Sequence, residues 1–229
     1  MAVYRAILNV GTINRGANMR KAVILLAGGE NRRMGAEKWL LPLGGVSVLT
    51  RLASAFTGNA DDIAVVLPYG ADQELRARAE EAVGTIRVRW LTDSEPSAGP
   101  LAGIEAAMSA SDCDCFLACA ADMPFARWDI ASVLFDLCER EDVQATVPVR
   151  GGRLQPLFAV YRKDALPALR TYRAEGGRKV MGWIDRLHAS IVPEERFAIL
   201  DPEEKALFNM NTPEDYEKAK KWIDSTDND

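Results

Sequence analysis

Between Leu26 and Lys38 the chain reads LAGGENRRMGAEK, which sets Gly28, Gly29 and Gly35 among Arg32, Arg33 and Lys38. Glycine lets a backbone approach phosphate oxygens closely and aim its N–H groups at them, and the cations offer charge to the same ligand. The run reads as a triphosphate cradle; a glycine turn carrying solvated surface cations is the plainer alternative. Its spacing is neither G-x-G-x-x-G nor G-x-x-x-x-G-K-[ST], so a Rossmann dinucleotide enzyme and a P-loop NTPase both lose their defining pattern. Asp122, in Ala120-Ala-Asp122-Met-Pro-Phe125, follows an apolar strand-like run and precedes Met-Pro, which displays its carboxylate at a sheet edge. Hard carboxylate oxygen suits Mg²⁺, which keeps few protein ligands and takes its other positions from phosphates and water. The alternative is an aspartate capping the next helix. Asp93, a loop carboxylate after the third strand, fits either nucleotide or metal contact or a plain turn. Asn209 and Asn211 fit a second substrate or a turn before the last helix, and Arg178 fits a ligand phosphate or solvent.

Other chemistries lack their parts. Cys113, Cys115 and Cys119 fall in the spacing C-x-C-x3-C, but Cys119 lies in an apolar run and Cys138 on an apolar helical face, where cysteine acts as a small hydrophobe. His188 is the only histidine and stands remote from these residues, which removes a Cys/His zinc site and a His-based triad. The net charge of −5 argues against a general nucleic-acid binder. The longest apolar run, Ala22 to Ala27, is far short of the roughly 20 residues of a membrane helix. The start, with a short apolar stretch at Ala6–Leu8, does not resemble a secretory signal, so a cytoplasmic protein is expected.

The elements that must position these residues alternate. Strands are expected at Lys21–Ala27, Asp62–Leu67, Ile86–Leu91, Cys115–Ala120 and Gln144–Val149. Leu49, Leu52, Ala53 and Phe56, and likewise Ile130, Val133, Leu134, Leu137 and Cys138, repeat at helical spacing. Arg150-Gly-Gly-Arg153 signals a hairpin into an antiparallel strand, Leu154–Tyr161. Helices follow at about Lys163–Ala174 and Arg178–Leu187, and Thr212 as N-cap, Pro213 at N1 and Asp215 at N3 announce a last one. The fold class is α/β: a three-layer α/β/α domain with a mostly parallel sheet plus an antiparallel strand or hairpin. The glycine run then sits at the carboxyl edge of the sheet, where such folds bind ligands. Residues 1–18 read as an N-terminal extension or an extra element, 19–224 as a single domain and 225–229 as a disordered tail.

The pattern LAGG-x3-RMG-x2-K followed by LLPLGG resembles the molybdenum cofactor guanylyltransferase family, within a wider group of nucleotidyltransferases that includes sugar-phosphate enzymes. The similarity continues as islands along about 200 residues. Asp93 and Ala98-Gly-Pro-Leu-Ala-Gly-Ile104 resemble the family's guanine- and ribose-side segment, and Ala120–Phe125 its metal-binding turn. Arg153–Tyr161, Gly177-Arg-Lys-Val-Met181 and Phe208-Asn-Met-Asn-Thr-Pro213 resemble its pterin-side half.

The resemblance implies transfer of GMP from GTP to molybdopterin, with Arg33, Lys38 and Asp122 catalytic and Mg²⁺ held by Asp122. It implies GTP contacts from Leu26, Ala27, Gly28, Gly29, Lys38, Asp93, Pro100, Leu101 and Asp122, and pterin contacts from Gln155, Arg178, Asn209 and Asn211. Expected partners are these two small-molecule substrates and a molybdoenzyme or cofactor-biosynthesis protein, without nucleic acid or membrane. One departure keeps the base open: Leu67, in Val65-Val-Leu-Pro-Tyr69, stands where members often carry Ser or Asn. A cytidylyltransferase acting on the pterin, a sugar-phosphate nucleotidyltransferase and a non-catalytic nucleotide-binding partner of a molybdoenzyme are the rival readings.

Overall fold

A computed structural model describes residues 19–28, 37–93, 95–96 and 99–226. In chain order the first strand, β1, is Lys21–Leu26. A turn of 3-10 helix at Lys38–Leu40 leads into the small hairpin β2 (Pro42–Leu43) and β3 (Val46–Ser47), then α1 (Val48–Phe56), β4 (Asp62–Leu67), α2 (Gln73–Val83) and β5 (Arg89–Thr92). The helix α3 (Pro100–Ala110), β6 (Cys115–Ala120), α4 (Trp128–Arg140), β7 (Ala145–Arg150), β8 (Arg153–Leu154) and β9 (Phe158–Arg162) follow. The chain continues through α5 (Leu166–Ala174), α6 (Val180–Ile184) and β10 (Ala189–Val192) to α7 (Pro213–Thr226).

The main sheet runs β10-β7-β9-β6-β1-β4-β5, with β8 paired to β7. β1 lies parallel between β6 and β4, and β5 parallel to β4. β9 is antiparallel to both β6 and β7. The structure is thus the expected three-layer α/β/α arrangement with an inserted antiparallel strand. Strands covered on both faces carry continuous rather than alternating apolar runs, which is why β1 and β6 are KAVILL and CFLACA. Val23 and Leu25 of β1 pack with Leu49, Leu52 and Phe56 of α1 on one face. Ala22, Ile24 and Leu26 pack with Leu101, Ile104 and Met108 of α3 on the other. Each Val, Ile, Leu, Phe or Met side chain fully buried there contributes about 1.5–3 kcal/mol.

Two of the helices begin where the sequence supplies a side-chain oxygen. Ser47 Oγ accepts from Thr50 N at 3.0 Å to start α1, and Asp72 Oδ1 accepts from Leu75 N at 2.8 Å to start α2. The four cysteines are buried and unpaired, with Cys115, Cys119 and Cys138 in one core layer and Cys113 in the other. The sheet therefore splits the C-x-C-x3-C spacing.

Several expected bounds change. The stretch Leu154–Tyr161 is two strands, because Pro156 has no N–H to give a ladder and the chain turns there, Phe158 N donating to Gln155 O at 3.0 Å. The third large strand starts at Arg89 rather than Ile86, whose N–H is spent on a turn to Val83 O. Lys163–Ala165 is a 3-10 turn before α5, and the helix expected at Arg178–Leu187 shortens to α6. Two elements lacked a strong pattern: the β2–β3 hairpin, turned by Gly44 and Gly45 at positive φ, and α3, which is apolar on most sides. α7 extends to Thr226, so residues 225 and 226 are helical where a tail was expected; residues 1–18 and 227–229 lie outside the described residues. Among the described residues no helix is long and apolar enough to cross a membrane.

At Gly103 the sequence sets a spacing directly. A methyl group there would stand 3.0 Å from Leu26 Cδ2 and 3.1 Å from Val66 Cγ1, so the missing side chain lets α3 lie close over β1 and β4. Gly103→Val is expected to lower stability by about 1–3 kcal/mol through overpacking. For a chain of this length that is roughly 2–4 °C in Tm per kcal/mol, read by thermal denaturation. A Val variant melting with the unaltered protein would show that α3 is not held at this distance.

Candidate functional site

Because β1, β4, β5 and β6 run parallel, the segments leaving Leu26, Leu67, Thr92 and Ala120 emerge at one edge of the sheet. The antiparallel β9 begins at that edge too, since Phe158 pairs with Cys119. The candidate residues Gly28, Asp93, Asp122 and Gln155 therefore come to one edge from four separate parts of the chain.

Ala27 N donates to Val66 O at 2.9 Å, and Leu26 O accepts from Ala121 N at 3.0 Å, so the ladder runs to the lip of the site. Asp122 follows directly. It is half-buried, and its Oδ1 is sealed from solvent with no hydrogen-bond partner among the described residues. Burial raises the proton affinity of this carboxyl, partly offset by the positive field of Lys38 and by a backbone hydrogen bond. Met210 N donates to Asp122 O at 2.8 Å, which draws the 209–211 loop against the turn.

Lys38 is only 3% exposed, and its Nζ donates to Asn211 O at 2.8 Å. A buried ammonium costs several kcal/mol unless its donors are met by acceptors or anions, and here a carbonyl and the field of Asp122 do so. The edge thus holds a carboxylate with an unused oxygen, a cation and a pinned asparagine loop. An unpartnered buried carboxylate oxygen fits a hard divalent cation, although the described residues hold no group of three His, Cys, Asp or Glu side chains that could form a cage for one.

The other candidates divide by what they can offer. Leu26, Ala27 and Leu101 are buried in the core, which leaves main-chain atoms as the groups available to a ligand. Gly28 is exposed at the lip, and Pro100 opens α3 behind Gly99, whose φ of 69° needs glycine. Asp93 is half-buried and shapes its own turn, Oδ1 accepting from Glu95 N at 3.3 Å. Arg178 comes close through its backbone: a methyl on Gly99 would lie 3.4 Å from Arg178 O. Gln155 Nε2 donates to Arg153 O at 3.3 Å, within its own hairpin, and Asn209 Nδ2 to Leu207 O at 3.4 Å. Gly29, Arg32, Arg33 and Gly35 lie outside the described residues. His188 is exposed at the opposite edge, where its carbonyl accepts from Gln144 N before β7 begins.

Two contributions carried no local pattern. One is the main-chain carbonyl of Asn211 that receives Lys38. The other is Arg173 on α5, which is paired to Glu105 of α3 and, at 3.0 Å, to Glu95 in the segment after β5. That bridge ties the Asp93 side of the site to the helical layer.

Residues 23–190 match the family model of the MobA-like NTP transferase domain. The chain belongs to that family. It is 34% identical over 197 residues to a protein of Pelotomaculum thermopropionicum named probable molybdenum cofactor guanylyltransferase, covering 86% of this chain and 90% of the relative. It is also 34% identical to the molybdenum cofactor guanylyltransferase of Mesorhizobium japonicum, covering 89% of this chain and 96% of the relative. Among solved structures, molybdopterin-guanine dinucleotide biosynthesis protein A from Archaeoglobus fulgidus superposes with a TM-score of 0.75 at 25% identity, over 89% of this chain and 99% of that one. Membership of this MobA-like family makes nucleotidyl transfer the class of activity.

In this MobA-like chain Lys38 lowers the proton affinity that burial confers on Asp122. Lys38→Met removes that offset, so the Asp122 carboxyl should titrate at a higher pH than in the unaltered protein. A carbon-13 NMR titration of the aspartate carboxyls reads it, and a midpoint unchanged or moved down would show that the two groups do not sense each other.

Proposed function

We propose that the chain transfers GMP from GTP to the terminal phosphate of molybdopterin, forming the guanine dinucleotide form of the molybdenum cofactor and releasing pyrophosphate. The observation that carries the reading is the meeting at one sheet edge of Asp122, with its buried unused oxygen, and the buried Lys38. The names borne by the relatives favour GTP and molybdopterin over other pairs.

An oxygen of the pterin's phosphate attacks the α-phosphorus of GTP. The new phosphorus–oxygen bond forms as the bond to the bridging oxygen breaks, and pyrophosphate leaves with the electron pair. A phosphate nucleophile is already ionised at neutral pH, so no general base is needed. The remaining work is positioning and charge neutralisation. Asp122 is the residue that would hold Mg²⁺, which when bound offsets phosphate charge. Lys38 and, by the family resemblance, Arg33 would offset the charge of the leaving pyrophosphate in this reading. The 209–211 loop, with Gln155 and Arg178, lies on the acceptor side.

Asp122→Ala is expected to lower kcat by roughly 10²–10³-fold or more with the fold retained. Pyrophosphate release measured with each of the four NTPs, against molybdopterin and sugar-phosphate acceptors, tests the substrates. The expected pair is GTP with molybdopterin; product from CTP or a sugar phosphate instead would overturn the assignment, and so would turnover near that of the unaltered protein in the Asp122 variant. Because the ionised carboxylate is the metal-holding form, protons compete with Mg²⁺ for it, so raising the Mg²⁺ concentration should move the loss of turnover in acid to lower pH.

A further inference from the structure

Asn211 and Thr212 are joined by one peptide unit whose two polar ends are both engaged by charged side chains. Its carbonyl, Asn211 O, accepts from Lys38 Nζ at 2.8 Å. Its N–H, Thr212 N, donates to Asp215 Oδ2 at 2.9 Å. The same Oδ2 accepts from Asn211 N at 2.9 Å, and Asp215 N returns a bond to Thr212 Oγ1 at 3.1 Å. The preceding amide, Met210 N, is fixed on Asp122 O. Three consecutive amides thus leave the peptide carbonyl no freedom to turn away from the ammonium. An anion on the N–H end and a cation on the C=O end also polarise the amide in the same direction, so each bond strengthens the other.

We propose that Asp215 is a positioning residue for nucleotidyl transfer, acting through the Asn211–Thr212 peptide to hold the Lys38 ammonium where pyrophosphate departs. This rests on the reading of Lys38 as the pyrophosphate cation. Partial burial alone would raise the proton affinity of Asp215, but the backbone hydrogen bonds from Thr212 and Asn211 prevail, so its carboxyl lies below the ordinary value and the anion persists at neutral pH. In sequence Asp215 is the N3 residue of a capping box, where an anion also favours the helix dipole, so a cap alone would use the charge but would not couple to Lys38.

Asp215→Asn keeps an acceptor oxygen and removes the charge, and comparing its effect with and without Lys38 separates the two roles. The probe is pyrophosphate with Mg²⁺, titrated by phosphorus-31 NMR, since it is the product common to every nucleotidyltransferase and does not depend on the base or acceptor. Asp215→Asn should weaken pyrophosphate binding about threefold to tenfold with the fold retained and only a small loss of Tm from the weakened cap. In a Lys38→Met background, itself weaker by about 10- to 100-fold, the same change should have no further effect. If Asp215→Asn does not fold, Asp215→Glu and Asp215→Gln make the comparison at equal size, the charged variant binding about threefold or more tightly. Binding by Asp215→Asn equal to that of the unaltered protein, or an equal loss with and without Lys38, would overturn the proposal. A failure of the GTP and molybdopterin assignment looks different, because pyrophosphate binding and its dependence on Asp215 would survive it.

Discussion

Burying Lys38 at the end of an otherwise apolar sheet is the constraint around which the site is organised. A cation that is 3% exposed must be met by oxygen, and the oxygen comes from Asn211, 173 residues away in sequence. Meeting it draws the segment before α7 across the carboxyl edge, where Met210 N then bonds to Asp122 O. The buried cation, the half-buried carboxylate and the 209–211 loop are therefore held by the same few bonds. Desolvation raises the proton affinity of Asp122, and the ammonium that offsets this is the one that the loop holds in place.

The scaffold makes such a constraint tolerable. β1 and β6 are covered on both faces, so the ends of their ladders are fixed before any charge is added. Parallel pairing directs the loops after β1, β4, β5 and β6 to a common edge. The close approach of α3 at Gly103 sets Leu26 and Leu101 as packing residues behind that edge. Arg173, bridging Glu95 and Glu105, extends the hold from the helical layer to the segment carrying Asp93. Ion pairs with a partner as exposed as Glu95 add little stability of their own.

The sequence by itself determined the elements whose signals are local. The apolar runs of β1, β4 and β6, the helical repeats of α1 and α4, the Arg150–Arg153 hairpin and the Thr212–Asp215 cap are each set by side-chain period or turn chemistry within a few residues. It also marked Lys38 and Asp122 as candidates, because glycines beside cations and a carboxylate after an apolar strand limit what those residues can do. Only the tertiary structure decided that Leu154–Tyr161 is two strands, one entering between β6 and β7, because strand order depends on pairing with distant segments. It alone gave Lys38 its acceptor: a main-chain carbonyl has no side-chain identity to read, and which one faces a cation is settled by how the loop is pinned. The same reason separates Asp215 from other helix caps, since its charge reaches the site through a peptide whose direction is fixed by contacts with residues remote in the chain.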